Sequence, residues 1–129
     1  MKEHIRANAG AAPSGSYSPA IRAGDFVFVS GQGPTDPATG EVVGDTIDAQ
    51  TERRLLNVRA IVEAAGGLMA DVVNVAAHLA DIAHFDAYDR VDRTHFAEPR
   101  PARTTVGSAL AGILVELDAI ADLPRHGER

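Results

Sequence analysis

Two stretches of the chain place their apolar residues at helical spacing, every three or four positions. The first runs from about Asp48 to Ala65, and its apolar positions are Leu55, Val58, Val62 and Ala65. The opposite side is charged, with Glu52, Arg59 and Glu63. We expect Asp48 to cap the start of this helix and Gly66-Gly67 to end it through a left-handed residue.

The second helical pattern runs from about Phe85 to Phe96 and has Phe85, Tyr88 and Phe96 on one side. Two pairs of opposite charge at i,i+4 spacing support it, namely Asp86 with Arg90 and Asp89 with Arg93. Asp89 and Asp92 share the angular sector of the two phenylalanines. Either this face is only partly buried, or it borders a polar cavity, and periodicity alone leaves both interpretations open.

Shorter stretches rich in β-branched and aromatic residues predict strands. They are Phe26–Ser30, Val42-Val43 after the turn DPATGE, Val72–Leu79, Ala102–Val106 and Ile113–Ala121, the last two joined around Gly112. This order of elements is typical of an α+β sheet with both helices packed on one face. No repeat or linker interrupts residues 1–129, so we expect a single domain with a frayed tail at 123–129.

The last predicted strand has apolar residues on both of its faces. One face carries Ile113, Val115, Leu117 and Ala119, and the other carries Leu114, Glu116, Asp118 and Ile120. Two helices cover only one side of such a sheet, so the other side must be polar or buried against a partner. Because neither face is wholly polar, we expect a homo-oligomer built face to face.

Composition narrows the class of protein further. Twelve basic and eighteen acidic residues give a net charge of −6, which repels phosphate backbones and disfavours nucleic acid as a partner. Cysteine is absent, so disulfides, thiol nucleophiles and cysteine-based metal sites are excluded. No apolar run approaches the ~18 residues of a membrane span, and the start MKEHIRANAG lacks a signal-peptide core. We therefore expect a cytoplasmic protein.

Common catalytic signatures are missing from the sequence. The glycine-rich stretch SGQGPTDPATG matches neither phosphate-binding pattern, and a strand end followed by a hairpin is the favoured interpretation. His78, His84 and His95 lack the spacing of metal ligands, so we expect no metal. No G-x-S-x-G marks a serine nucleophile.

Two charged residues stand inside otherwise apolar strands. Arg103 lies in ARTTV and Glu116 in ILVEL, where a long charged side chain is costly unless it is paired or faces a solvated pocket. Spacing alone favours a salt bridge between the two residues, and a pocket is the alternative.

Six motifs occur in one order along most of the chain. They are SYSPAI (16–21), FVFVSGQGPTDPATGEVVG (26–44), QTERRLLNVRAIVEAAGG (50–67), DVVNVAAHLADIAHF (71–85), PART (101–104) and LVELDAIA (114–121). In this order and spacing the chain resembles the RidA/YjgF family of reactive-intermediate deaminases. The resemblance implies a chorismate-mutase-like fold and a homotrimer whose sheets line a central barrel, with clefts between subunits. It also implies cofactor-free hydrolysis of enamines and imines, such as 2-aminoacrylate and 2-iminopropionate, to 2-oxo acids and ammonia.

The same resemblance suggests roles for individual residues. Arg103 would bind the substrate carboxylate, which suits a planar guanidinium. Glu116 would position the attacking water and accept its proton. Tyr17 would close the cleft with its hydroxyl, and Gly31 would let the backbone approach the ligand.

This sequence departs from the family pattern at two positions. Thr105 stands where deaminating members often have a cysteine that acts through its main-chain carbonyl, and Asp89 stands where an asparagine is common. The loops before Arg103 and Glu116 are also short. An alternative is therefore a small-molecule binder or a pathway-specific deaminase of the aminomuconate type. The ribonuclease or translation-inhibitor label attached to some members is disfavoured by the acidic charge and the few aromatic residues.

Overall fold

The computed structural model describes residues 1–5 and 15–123. Its strands are β1 (Glu3–Ile5), β2 (Ala20–Ala23), β3 (Phe26–Gln32), β4 (Val72–Leu79), β5 (Ala102–Gly107) and β6 (Val115–Asp122). Its helices are α1 (Ile47–Ala64) and α2 (Phe85–Asp92). The strands form one mixed sheet in the order β1-β2-β3-β6-β4-β5, in which the β4–β5 pair is parallel and the other pairs are antiparallel. The predicted α+β class with two helices is confirmed.

The core lies between one face of the sheet and the helices. Strand β6 alternates strictly, and its buried residues Val115, Leu117, Ala119 and Ala121 face α1. Helix α1 packs on β3 and β6 and also against α2. No helix within residues 1–5 and 15–123 is long and apolar enough to span a bilayer.

Within residues 1–5 and 15–123, no helix packs on the opposite face of the sheet. Because Val27 and Val29 point into the core, the intervening Phe28 and the preceding Phe26 point the other way, and these phenylalanines are 45% and 44% exposed. Phe28 lies in register with Ile21 of β2 and Ile120 of β6, which form an apolar row across three strands. We call this surface the open face.

The first helix has a different N-cap from the predicted one. Helix α1 begins at Ile47, and the Thr46 hydroxyl accepts a hydrogen bond from the Ala49 N–H at 3.1 Å. Asp48 was the expected cap, but it lies in the first turn. The predicted glycine stop is confirmed, because Gly66 has a φ of 94° just after the helix. Helix α2 ends at Asp92, before the predicted Phe96, and the chain continues in turns that bury Phe96.

Two strand predictions needed correction. Strand β2 pairs with β3 around Gly24, which has a φ of 63°, so the main hairpin precedes β3. The DPATGE turn forms, but Val42 makes only an isolated bridge to Thr35 instead of a strand. The consecutive strands β5 and β6 are not neighbours, because β4 lies between them.

The tail prediction is wrong at its first residue. Leu123 is 2% exposed in the core, and its N–H donates to the carbonyl of Asp25 at 2.7 Å. Its own carbonyl accepts a hydrogen bond from the Arg22 guanidinium. The remainder of the predicted tail, 124–129, lies outside the described residues.

Candidate functional site

The two charged residues inside the strands lie on opposite faces of the sheet. Arg103 is in register with Val75 of β4, which in turn faces the buried Ala119 of β6, so its side chain lies on the helix side. Glu116 is in register with His78, and both residues are adjacent in sequence to the buried pair Ala77 and Leu117. Because successive side chains of a strand point to opposite faces, Glu116 lies on the open face. The predicted Arg103–Glu116 salt bridge is therefore wrong.

Three of the predicted site residues meet on the open face. A cavity of about 910 Å³ is lined by side chains and backbone that include Tyr17, Ser30, Gly31, Glu116 and Asp118. The Tyr17 side chain is 45% exposed at this cavity. The structure thus brings Tyr17, Gly31 and Glu116 to one cavity, together with Asp118. We call Tyr17, Gly31, Glu116 and Asp118 the open-face group.

Gly31 is required by the position of the Glu116 carboxylate. A Cβ atom at residue 31 would collide with Oε1 of Glu116 and would lie 3.2 Å from its carboxyl carbon. The register of β3 against β6 also shifts between Val29 and Gln32, so the strand is irregular at this point. The missing side chain leaves room for the carboxylate over the backbone of β3.

Asp118 gives the open-face group a second carboxyl. Burial raises the pKa of Asp118, and the nearby Glu116 carboxyl raises it further. His78 and Arg54 oppose this rise. Two residues of spacing on one strand place Asp118 and Glu116 on the same face. Alternation along β6 could have identified this carboxyl from the sequence.

Arg54 is a buried cation that sequence analysis did not single out. It is fully buried in α1, and none of its three guanidinium nitrogens has a hydrogen-bond partner among the described residues. Burial lowers its pKa to about 9, although the carboxyl groups of Glu116 and Asp118 oppose this shift. Its place in the sequence, next to Arg53 in a charged stretch of the helix, resembles a solvated face.

The other predicted residues lie on the helix side of the sheet, around Arg103. Its Nη2 is 2.8 Å from Oδ1 of Asp89, and its Nη1 is 3.1 Å from Oδ1 of Asp92. Phe85 and Tyr88 stack on the guanidinium, with ring centroids 5.6 and 5.2 Å from its central carbon. We call Asp89, Asp92 and Arg103 the helix-face group.

This group borders a second cavity, of about 420 Å³, to which Arg93 and Arg100 also contribute. The structure therefore supports the second interpretation of the aspartates in α2, that their face borders a polar cavity. Thr105 lies two residues beyond Arg103 on the same side of β5 and is half-buried.

Charge pairing shifts the pKa values of Asp89 and Arg103 in the helix-face group. Hydrogen bonds from Arg103 and Arg93 lower the pKa of Asp89. Burial alone would lower the pKa of Arg103, but the hydrogen bond to Asp89 and the nearby negative charges raise it. Burial, together with the charge of Asp92, raises the pKa of Tyr88, whose hydroxyl donates to Oδ2 of Asp92 at 2.7 Å. The pairing of Asp89 with Arg103 therefore favours the charged forms of both side chains.

The fold and these two surfaces define a small α+β protein with a polar cavity on each side of one sheet. The sequence model of the family described as endoribonuclease L-PSP matches residues 8–123. The chain belongs to this family, the RidA/YjgF family, as its motifs predicted.

Individual relatives carry several names. A RutC family protein of Pyrococcus horikoshii is 42% identical over 123 residues, 94% of this chain and 98% of that protein. A 2-iminobutanoate/2-iminopropanoate deaminase of Dermatophagoides farinae is 38% identical over 97 residues, 75% of this chain and 76% of that protein. The crystal structure of RidA from an Antarctic Psychrobacter matches with a TM-score of 0.90 and 35% identity, covering 94% of this chain and 99% of that one.

Proposed function

We propose that this protein hydrolyses reactive enamines and imines, of the 2-aminoacrylate and 2-iminopropionate type, to 2-oxo acids and ammonia. We further propose that each active site joins the open-face group of one subunit to the helix-face group of a neighbouring subunit in a homotrimer. The position of Glu116 and Arg103 on opposite faces of one sheet carries this proposal. A small imino acid cannot reach both residues of one protomer through the sheet, so a second copy must supply one of them.

The chemistry needs few groups once both surfaces meet. Arg103 binds the substrate carboxylate and so places the imine carbon beside Glu116. Glu116 orients a water molecule and accepts its proton as the water oxygen attacks that carbon. The nitrogen takes up protons, the C–N bond breaks, and ammonia leaves while the oxygen becomes the carbonyl of the 2-oxo acid. Tyr17 lines the open-face cavity, and its hydroxyl contacts the bound substrate in this proposal.

The apolar open face supports the oligomer. Phe26 and Phe28 are nearly half exposed there, although Phe28 stands in the middle of a three-strand apolar row. An exposed row of this kind marks an interaction surface. A neighbouring copy of the chain would cover it and would bring its cavity to a subunit boundary.

Ammonia release from freshly generated imino acids tests the activity. An amino-acid oxidase produces the imines, and we expect wild-type protein to accelerate ammonia release. Arg103→Ala and Glu116→Gln should each reduce turnover by roughly 10²–10³-fold. Glu63→Gln, on the exposed side of α1, is the control and should leave turnover unchanged. Degradation of RNA by the same preparation, without imine turnover, would instead favour the ribonuclease label of the family.

Mixing the two inactive variants tests the shared site. If one subunit supplies Arg103 and its neighbour supplies Glu116, co-refolded Arg103→Ala and Glu116→Gln chains contain some sites with both residues intact. Random assembly in a ring should then restore about a quarter of wild-type turnover. A mixture that stays inactive while its chains demonstrably co-assemble would refute the division of the site between subunits.

A further inference from the structure

The arginine assigned to the substrate carboxylate already binds two carboxylates of its own chain. Nη1 and Nη2 of Arg103, the two nitrogens of its outer fork, contact Asp92 and Asp89 respectively. This fork is the edge that a bidentate carboxylate ligand uses. An incoming carboxylate must therefore displace one of the two aspartates or share the guanidinium with both.

The two aspartates are held with very different strength. Asp92 is 7% exposed, and its second oxygen accepts the hydrogen bond from the buried Tyr88 hydroxyl. Asp89 is 29% exposed, and its second oxygen contacts Nη2 of Arg93 at 2.8 Å. Arg93 is itself 58% exposed and belongs to an i,i+4 pair on the helix surface, a weak kind of ion pair. Asp89 is therefore the partner that can be released from Arg103, and Arg93 is the partner that can be released from Asp89.

We propose that Asp89 determines the substrate specificity of this site, because it competes with the substrate carboxylate for Arg103 and selects 2-imino acids whose side chain carries a cation. This inference rests on the proposed deaminase function. A substrate with a neutral side chain adds a carboxylate beside two others and gains nothing in return. A substrate with a guanidinium or ammonium group can replace the exposed Arg93 at Asp89 and so balance the added negative charge.

The remaining charges around the cavity are compatible with this selection. Arg100 also lines the cavity, but it is 47% exposed and its Nη1 pairs with Glu98 at 2.8 Å. Arg93 is displaced toward solvent, where its charge is screened. A cavity of about 420 Å³ leaves space for a side chain longer than a methyl group.

Binding of two matched carboxylates tests the selection without any turnover. The ligands 5-guanidinopentanoate and 5-ureidopentanoate have nearly the same shape and differ in the charge at the far end. Calorimetry should show that wild-type protein binds the guanidino ligand more tightly, by about tenfold. Asp89→Asn should tighten binding of the ureido ligand by about tenfold and weaken binding of the guanidino ligand, since the competing and the attracting charge are both removed.

Two further variants make the test specific. Asp86→Asn changes the net charge of the same helix equally, but Asp86 is exposed and does not line the cavity, so both affinities should stay at wild-type values. Arg93→Ala removes the cation that the ligand must replace and should tighten binding of the guanidino ligand. Equal wild-type affinities for the two ligands, or equal effects of Asp89→Asn and Asp86→Asn, would overturn the inference.

Imines made from arginine and citrulline extend the test to turnover. We expect wild-type protein to prefer the arginine-derived imine and Asp89→Asn to reverse this preference. If neither imine is hydrolysed but the binding preference holds, the deaminase proposal fails and the specificity of the cavity stands. If both are hydrolysed with no preference in either protein, the role of Asp89 is refuted and the deaminase proposal stands.

Discussion

The environment of Arg54 is costly to the folded state. Its guanidinium is buried without a hydrogen-bond partner among the described residues, and the nearby carboxyl groups of Glu116 and Asp118 compensate only in part. A methionine of similar length would fill the same space without a charge to desolvate.

We therefore expect Arg54→Met to raise the free energy of unfolding by about 1–4 kcal/mol at pH 7. The folded-state pKa of Arg54, about 9, lies well below the ordinary value of an arginine. Between these values the unfolded chain holds a proton that the folded chain has lost, so wild-type stability rises with pH there. The gain in unfolding free energy of Arg54→Met over wild type should therefore be complete below pH 9 and should become smaller above it.

Urea unfolding at pH 7 and pH 10, at one chain concentration, measures this difference. Arg59→Met is the matched control, because Arg59 is exposed on the same helix and pairs only with Glu63. A variant less stable than wild type at both pH values would show that Arg54 has a stabilising partner.

The close approach of the Glu116 carboxylate to Gly31 leads to a second prediction for a single residue. In Gly31→Ala the new methyl group collides with the Glu116 carboxylate, which must move away from the backbone of β3. We expect imine turnover to fall by roughly 10²-fold, while the free energy of unfolding changes by less than about 1 kcal/mol because a side chain, not backbone, gives way. Gly33→Ala is the control, since its methyl group would find only an ordinary contact with Thr35 at 3.8 Å. Wild-type turnover by Gly31→Ala would show that the close approach of Glu116 to residue 31 is not needed for catalysis.

At the scale of elements, the start of α1 depends on a single hydroxyl. Thr46→Ala removes the acceptor of the Ala49 N–H and should lower the free energy of unfolding by about 1 kcal/mol. Asp48→Ala removes a charge from the first turn, and should cost only about 0.3–1 kcal/mol, an amount that salt screens. Chemical unfolding with and without about 0.5 M salt, which shortens the Debye length to roughly 4 Å, separates the two effects. An equal, salt-dependent loss in both variants would contradict the assignment of the cap.

Elements with strong internal patterns could be predicted, and contacts between elements could not. Strand β4 was predicted with its observed bounds, and α1 was predicted to within a residue at each end, because both repeat their apolar positions clearly. Strand β2 has only four residues and was missed. The parallel pairing of β4 with β5 depends on tertiary packing that no local pattern records.

The candidate site divides in the same way. Alternation alone places Glu116 and Asp118 on the open face, and motif resemblance added Tyr17, Gly31 and Arg103. The contacts of Arg103 with Asp89 and Asp92 required the position of α2 over β5, since those residues are more than ten positions away in the chain. The assignment of Arg103 to the candidate site could therefore be predicted from the sequence, but its contacts with Asp89 and Asp92 could not.

At the scale of the whole molecule, the open face predicts the state of assembly. If this face is buried between three copies, sedimentation equilibrium at micromolar concentration should give about three times the chain mass of 13.5 kDa. Phe28→Glu places a charge in the middle of the apolar row and should reduce the mass toward that of one chain. A wild-type protein that stays monomeric would remove both the trimer and the shared site.

The placement of Glu116 and Arg103 on opposite faces of the sheet has a consequence for how activity depends on dilution. A protein with a complete site in each chain keeps its turnover per mole however far it is diluted. If the active site is shared between subunits as we propose, each folded chain carries half of two different sites, and a dissociated chain is intact and inert. Turnover per mole should collapse below the dissociation constant of the assembly, and abundance in the cell then controls the catalytic competence of every chain.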